Sequence, residues 1–281
     1  NVYTEETTVK VVNPLSADLG VMRQTLLFGG LESIMRNVNR KSPNLRFFEF
    51  GNCYHYNPDK KDEDCPINAY AEETHLALWL TGKRVSGSWI HPDESTSFYE
   101  LRAYVQNILR RVGMPQGMLV MEKTDNNVFS NGVVLKNRGG KSFVEMGIVS
   151  TALLKQNDID VPVFYADLHW DNIVKAVRKS VVSFKEISKY PSVSRDLALL
   201  LDNEIEFEQV ERVAFQSEKK LLKKVELFDV YQGDKLPVGK KSYAVNFVLQ
   251  DEQATLNDKK IDAIMSKLIA NLKKQLGAEL R

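Results

Sequence analysis

The chain has 281 residues, 43% of them hydrophobic and 27% charged, with a net charge of +1. That is the make-up of a folded globular protein, long enough for two domains of ordinary size. The balanced charge excludes a global basic field, so any nucleic-acid binding has to come from a local patch.

In chain order, Val9 to Pro14 reads as a strand ending in a turn. Leu27, Leu31, Ile34, Met35 and Val38 then recur at the spacing of an amphipathic helix. Leu45 to Tyr56 predicts an aromatic-rich strand, Asn57 to Asn68 a charged loop, and Thr74 to Leu80 another strand. Leu101, Val105, Ile108, Leu109 and Val112 mark a helix that stops at Gly113. Asn131-Gly132 and Arg138-Gly139-Gly140 read as turns, and Phe143 to Val149 and Val163 to Leu168 as strands. The stretch from 171 to about 188, basic through Lys175, Arg178, Lys179 and Lys185, reads as a junction. Beyond it the pattern is strand (195–201), helix (206–217), strand (223–231), strand (242–250), helix (257–276) and short strand (278–281), the βαββαβ order of a ferredoxin-like fold. The last helix has an apolar stripe from Ile261 to Leu276, Asn257 as N-cap and Gly277 as stop.

Three blocks of this second half carry a resemblance. They are Tyr190-Pro191-Ser192-Val193-Ser194-Arg195-Asp196-Leu197-Ala198, Leu227-Phe228-Asp229-Val230-Tyr231-Gln232-Gly233 and Leu236-Pro237-Val238-Gly239-Lys240-Lys241-Ser242-Tyr243-Ala244. With Ala254-Thr255-Leu256-Asn257-Asp258 and the closing Gly277 to Arg281, the segment resembles the ferredoxin-fold anticodon-binding domain that ends the β subunit of bacterial phenylalanyl-tRNA synthetases. Related domains usually have an acid where Lys260 stands, so the reciprocal half of a capping box is absent.

The first half resembles the catalytic-like core of the same subunit. The marks are Asn13-Pro14-Leu15-Ser16, Met22 to Leu27, Arg36-Asn37 and Leu45 to Tyr54, similar to the first two motifs of class II synthetases. The expected architecture is therefore α+β: a class II-like antiparallel sheet with flanking helices over 1–175, a linker over 176–188 and the ferredoxin-like domain over 189–281. An active class II site places an Arg and a Glu two residues apart on a strand, sharing one face. Here Arg46 and Glu49 are three apart, and near Gly139-Gly140 and Gly147 no Arg follows at a useful spacing. No catalytic residue is expected.

Other chemistry has little support. His55, His75, His91 and His169 are scattered through the sequence without a ligand-pair spacing, and Asp62-Glu63-Asp64 offers one side of a coordination sphere. No metal site is expected. Cys53 and Cys65 have no further Cys or Cys/His pair, so two buried thiols in a reducing cytosol is the expectation. No signal peptide and no apolar run of bilayer length is present. The chain starts at Asn1 without a Met, in what looks like mid-strand, and reads as a fragment of a larger polypeptide.

Strand alternation sorts the second domain. Leu197, Leu199 and Leu201, Phe228 and Val230, and Tyr243, Val245, Phe247 and Leu249 are the apolar sets expected under the helices, with Leu227 on the other side. The opposite face gathers Asp196, Ala198, Asp229, Tyr231, Ser242, Ala244 and Asn246, which suits single-stranded RNA: a ring to stack on, an acceptor, a hydroxyl and room to approach. The family's anticodon contacts fall at matching positions, and Arg281 is a further candidate. Arg195, Lys235, Lys240 and Lys241 could touch phosphate or form a solvated rim.

The resemblance implies a non-catalytic part of a phenylalanine–tRNA ligase. Its cofactors, ATP and magnesium, would be used by the α subunit and not held by this fragment. Its partners would be that α subunit, contacted through Leu27, Leu31, Ile34 and Met35, a second αβ pair (α2β2) and phenylalanine tRNA. The alternative is a small-molecule regulatory or general RNA-binding module on a ferredoxin-like fold, although residues 202–205 offer no glycine-rich ligand loop.

Overall fold

In the computed structural model, which describes residues 3–16, 19–115, 117–181, 184 and 186–281, the chain forms two compact units, Asn1–Val182 and Ser183–Arg281. Asn1 and Lys185 lie outside the described residues. The architecture is α+β throughout, and the two units are taken separately.

In the first unit the stripe beginning at Leu27 forms helix α1 (Leu27–Asn39). It is followed by β1 (Leu45–Tyr56), β2 (Tyr70–Thr81), the short pair β3 (Lys83–Val85) and β4 (Glu94–Ser95), and α2 (Phe98–Arg111). Then come β5 (Leu119–Thr124), β6 (Phe129–Asn137), β7 (Ser142–Val149), α3 (Thr151–Gln156), β8 (Val163–His169) and α4 (Trp170–Val177). The main sheet is antiparallel in the order β1-β2-β8-β7-β6-β5. Alternation along β2 supplies both of its faces. Ala77 and Trp79 pack beneath α1 with Leu27, Leu31 and Ile34, while Leu76, Leu78 and Leu80 meet Leu101 and Val105 of α2 and Ile173 of α4.

Several expectations change here. Residues 9–14 form no named strand: a single bridge joins Lys10 to Val21, and Val12 and Leu15 stand exposed. Asn131-Gly132 is not a turn but lies inside β6, where Gly132 pairs with Gly147 of β7. A Cβ on either glycine would meet the Phe129 ring at 2.8–2.9 Å, so the pair exists to let that ring lie over it. The turn is at Asn137 to Gly140, where Gly140 has φ +80°. The Asn57 to Asn68 loop contains 3-10 turns at Pro58–Lys60 and Pro66–Ala69. Cys53 is buried, but Cys65 is only half-buried.

The second unit runs β9 (Val193–Asp202), α5 (Phe207–Ser217), β10 (Leu222–Tyr231), β11 (Lys240–Leu249), α6 (Asp258–Leu276) and β12 (Glu279–Leu280). Its sheet order, β10-β11-β9-β12, is the split βαβ arrangement. Asn257 caps α6, its side chain accepting from the Lys260 N–H at 2.9 Å, and Gly277 ends it at φ +63°. Lys260 makes no reciprocal cap; its Nζ pairs with Asp251 at 2.9 Å.

A β-bulge corrects the reading of β10. The register runs Val225↔Phe247, Leu227↔Val245 and then Asp229↔Ala244, so Phe228 is the extra residue. Leu227 therefore packs on the core face, and Phe228 is 60% exposed. Val230 pairs with core-facing Tyr243 but is half exposed at this end of the edge strand. Beyond the bulge Asp229 and Tyr231 return to the face opposite the helices. Among the described residues, no helix of either unit is long and apolar enough to cross a membrane.

Candidate nucleic-acid interface

The helices α5 and α6 cover one face of the second unit's sheet, burying Leu199, Leu201, Tyr243, Val245, Phe247 and Leu249. The other face is set by register. Asp229, Ala244 and Ala198 lie in one row across three strands, continued by the Arg281 N–H, which donates to the Ala198 carbonyl at 3.0 Å. Tyr231, Ser242 and Leu200 form the next row, and Asn246 with Asp196 another. Two alanines in the middle make a shallow trough. The Arg281 guanidinium reaches over it, with Cζ 5.4 Å from the Tyr231 ring centroid.

The polar groups differ in availability. Asn246 Nδ2 donates to Asp196 Oδ1 at 2.5 Å, so one oxygen of Asp196 is engaged. Asp229 is exposed, and Ser242 is nearly covered by its neighbours. What the face presents is a ring, a guanidinium and a carboxylate around a small-residue floor. Such a set can hold a planar base by stacking and by accepting from its donor edge.

The basic residues divide sharply. Lys241 belongs to the fold: it is buried, its Nζ donates to the Asn203 carbonyl at 2.8 Å and lies 4.8 Å from the Tyr243 ring centroid. Arg195 pairs across to core-facing Phe247, and its Nη2 lies 3.8 Å from Asp258 at the start of α6, away from the open face. Neither suits a phosphate contact on this sheet. Lys240 sits at the open-face edge beside Asp202 and Glu279, at 3.4 and 3.8 Å, so its charge is partly matched already. Lys235 is exposed in the loop between β10 and β11.

In the first unit, Arg46 and Glu49 project to opposite faces of β1, and each serves as a strut. Arg46 Nε donates to Glu100 Oε1 at 3.0 Å and Nη2 to Thr96 Oγ1 at 2.6 Å, tying β1 to the start of α2. Glu49 accepts from Arg23 Nη1 at 2.7 Å on the other side. The expected subunit contacts on α1 are corrected: Leu27, Leu31 and Ile34 are fully buried in the unit's own core, with Met35 packed against them, because the stripe faces the sheet. The side of α1 left open carries Phe28, Glu32, Ser33 and Arg36.

A four-stranded split-βαβ sheet with two helices on one face is the ferredoxin-like fold, which hosts many unrelated functions, and an aromatic ring and a guanidinium on its free face are compatible with holding single-stranded RNA. The comparisons specify it further. The family described as "Ferredoxin-fold anticodon binding domain" matches residues 188–281, and "Phenylalanyl tRNA synthetase beta chain CLM domain" matches residues 1–170. The "Phenylalanine--tRNA ligase beta subunit" of Bacteroides fragilis is 54% identical over 279 residues, 99% of this chain and 34% of that protein. The proteins of the same name from Porphyromonas gingivalis and Syntrophotalea carbinolica are 45% and 31% identical, over 99% and 97% of this chain and 34% and 33% of theirs. The chain belongs to the phenylalanine–tRNA ligase β-subunit family, and it spans about a third of the length of these relatives. The matches are to synthetase proteins and not to a regulatory module.

Proposed function

We propose that the second unit binds the anticodon of phenylalanine tRNA on its open sheet face. Tyr231 is the stacking platform, Asp229 the acceptor from a base edge, and Ala198 and Ala244 the floor that lets the base approach. The observation that carries this reading is the Arg281–Tyr231 pair over the two alanines, a planar cation already resting where a base would rest. Arg281 would then swing aside or close over the base, and Lys235 and Lys240 would meet phosphate at the rim. The first unit is a non-catalytic scaffold for the α subunit, approached through the open side of α1 near Phe28. The whole enzyme is an α2β2 assembly in the cytoplasm, joining phenylalanine to its tRNA with ATP and magnesium on α. The engaged state of Arg46 and Glu49 supports that division of labour.

The test pairs Tyr231→Ala in the full synthetase with anticodon substitutions in the tRNA. Tyr231→Ala should lose about 1–3 kcal/mol of stacking, or one to two decades in affinity. That loss should vanish on a tRNA whose anticodon bases are removed. Simple additivity of the protein and RNA changes would mean that Tyr231 does not touch the anticodon.

A further inference from the structure

Two of the four histidines that look scattered in the sequence meet in the fold. His75 of β2 and His169 of β8 are direct cross-strand partners, and Glu73 lies two residues before His75 on the same face. Their rings stand with centroids 4.7 Å apart. Glu73 Oε2 lies 3.6 Å from His75 Nε2 and 4.0 Å from His169 Nδ1, and one donor atom from each residue falls within 4.8 Å of the others. A tetrahedral zinc ion with bonds of about 2.0–2.1 Å needs its donors roughly 3.3–3.4 Å apart. The Glu73 oxygen therefore needs to draw in by a few tenths of an ångström, and the two histidine nitrogens, which lie within 4.8 Å of each other, by up to about 1.4 Å. Glu73, whose side chain is 49% exposed, has the freedom for its share, and the closure between the rings falls to His169, whose side chain is 25% exposed against 5% for His75.

A second observation points to a ligand. His75 is 4% exposed, and its Nε2 makes no hydrogen bond among the described residues; the 3.6 Å to Glu73 is too long for one. The other ring nitrogen, Nδ1, is held by Asp167 Oδ1 at 2.6 Å. This is the arrangement in which a carboxylate fixes the ring and its tautomer and leaves Nε2 for a metal. His169 is the residue at which β8 passes into α4, and the Asp171 carboxylate there accepts from the Thr74 N–H at 2.9 Å.

We propose that Glu73, His75 and His169 form a binding site for a divalent transition-metal ion, zinc by donor set, with Asp167 as the supporting carboxylate. Two nitrogens and one carboxylate oxygen suit zinc and its neighbours over magnesium or calcium, which prefer all-oxygen shells. The exposed side of Glu73 leaves the fourth position to solvent. The ion would tie the end of β2 to the β8–α4 junction, in the first unit and independent of the RNA face.

The experiment uses the 281-residue chain without a histidine tag, titrated with zinc alone and, separately, with cobalt as a spectroscopic probe. The expected result is one saturable equivalent, with the intense visible bands of a four-coordinate cobalt site. Glu73→Gln and His169→Asn should each weaken binding at least tenfold, and the exposed-loop control His91→Gln should not. Asp167→Asn should cost 10–100-fold in affinity while leaving the cobalt spectrum's form intact, the mark of a positioning residue. Glu73 is exposed, so Glu73→Gln tests the site without threatening the fold. The proposal is overturned by no saturable zinc binding, by binding insensitive to both ligand variants, or by equal competition from magnesium. The first of these would mean that the two carboxylates simply hold an imidazolium.

Discussion

The Arg281 guanidinium and the Tyr231 ring face each other across the open sheet, Cζ to centroid 5.4 Å, although two strands separate their backbones. The span is possible because the residues between them, Ala198 and Ala244, are too small to block it. At a partly exposed site the contact contributes about 0.5–1 kcal/mol. Arg281→Lys keeps the charge but loses the flat stacking surface. It should leave the salt dependence of tRNA binding unchanged while weakening affinity. A drop of about one in the log–log salt slope for Arg281→Ala, with Arg281→Lys restoring both slope and affinity, would show a phosphate contact instead. Equilibrium binding at several salt concentrations separates the two.

Lys241 and Lys235 should behave in opposite ways. The buried Lys241 ammonium holds the Asn203 carbonyl, a charged hydrogen bond whose loss costs about 1.5–3 kcal/mol. Lys241→Ala should lower the stability of the second unit and leave the salt slope alone. Lys235→Ala should leave stability within about 0.5 kcal/mol and reduce the slope by about one. Amide hydrogen exchange of the second unit's strands, together with binding at graded salt, reads both.

Two adjacent glycines of α1 should respond oppositely to alanine. A Cβ on Gly30 would land inside the Trp79 indole, whereas one on Gly29 meets nothing within 4 Å. Gly30→Ala should cost about 1–3 kcal/mol through overpacking. Gly29→Ala should stabilise by about 0.5–1 kcal/mol through helix propensity. Trp79, Trp89 and Trp170 all lie in the first unit, so tryptophan fluorescence in urea reports that unit alone. Equal effects at both positions would contradict the packing of α1 against Trp79.

The two thiols should differ in reactivity. Cys53 is fully buried, and burial pushes its pKa up to about 12, so almost no thiolate forms at neutral pH. Cys65 is half-buried on the loop between β1 and β2. A disulfide reagent should titrate one thiol in the native chain and two after denaturation. Cys65→Ser should abolish the native reaction; a fast-reacting Cys53 would mean that β1 opens readily.

The sequence by itself determined the elements whose signals are local. Helix α6 follows from its stripe, Asn257 and Gly277, because a helical face and its caps are set by neighbours a few residues away. The βαββαβ order and the open-face placement of Asp196, Ala198 and Ser242 follow from alternation, which is a count along a single strand. Tertiary structure alone decided what depends on pairing between distant strands. One inserted residue, Phe228, resets the alternation of β10 and sends Leu227 to the core, and no local pattern marks it. The paired glycines Gly132 and Gly147 look like a turn and a motif fragment until the Phe129 ring is laid over both. The stripe of α1 shows that one face is buried but not by what, and here the unit's own sheet claims it. His75 and His169 meet only because β2 and β8 are adjacent in register, a long-range choice that spacing along the chain does not encode.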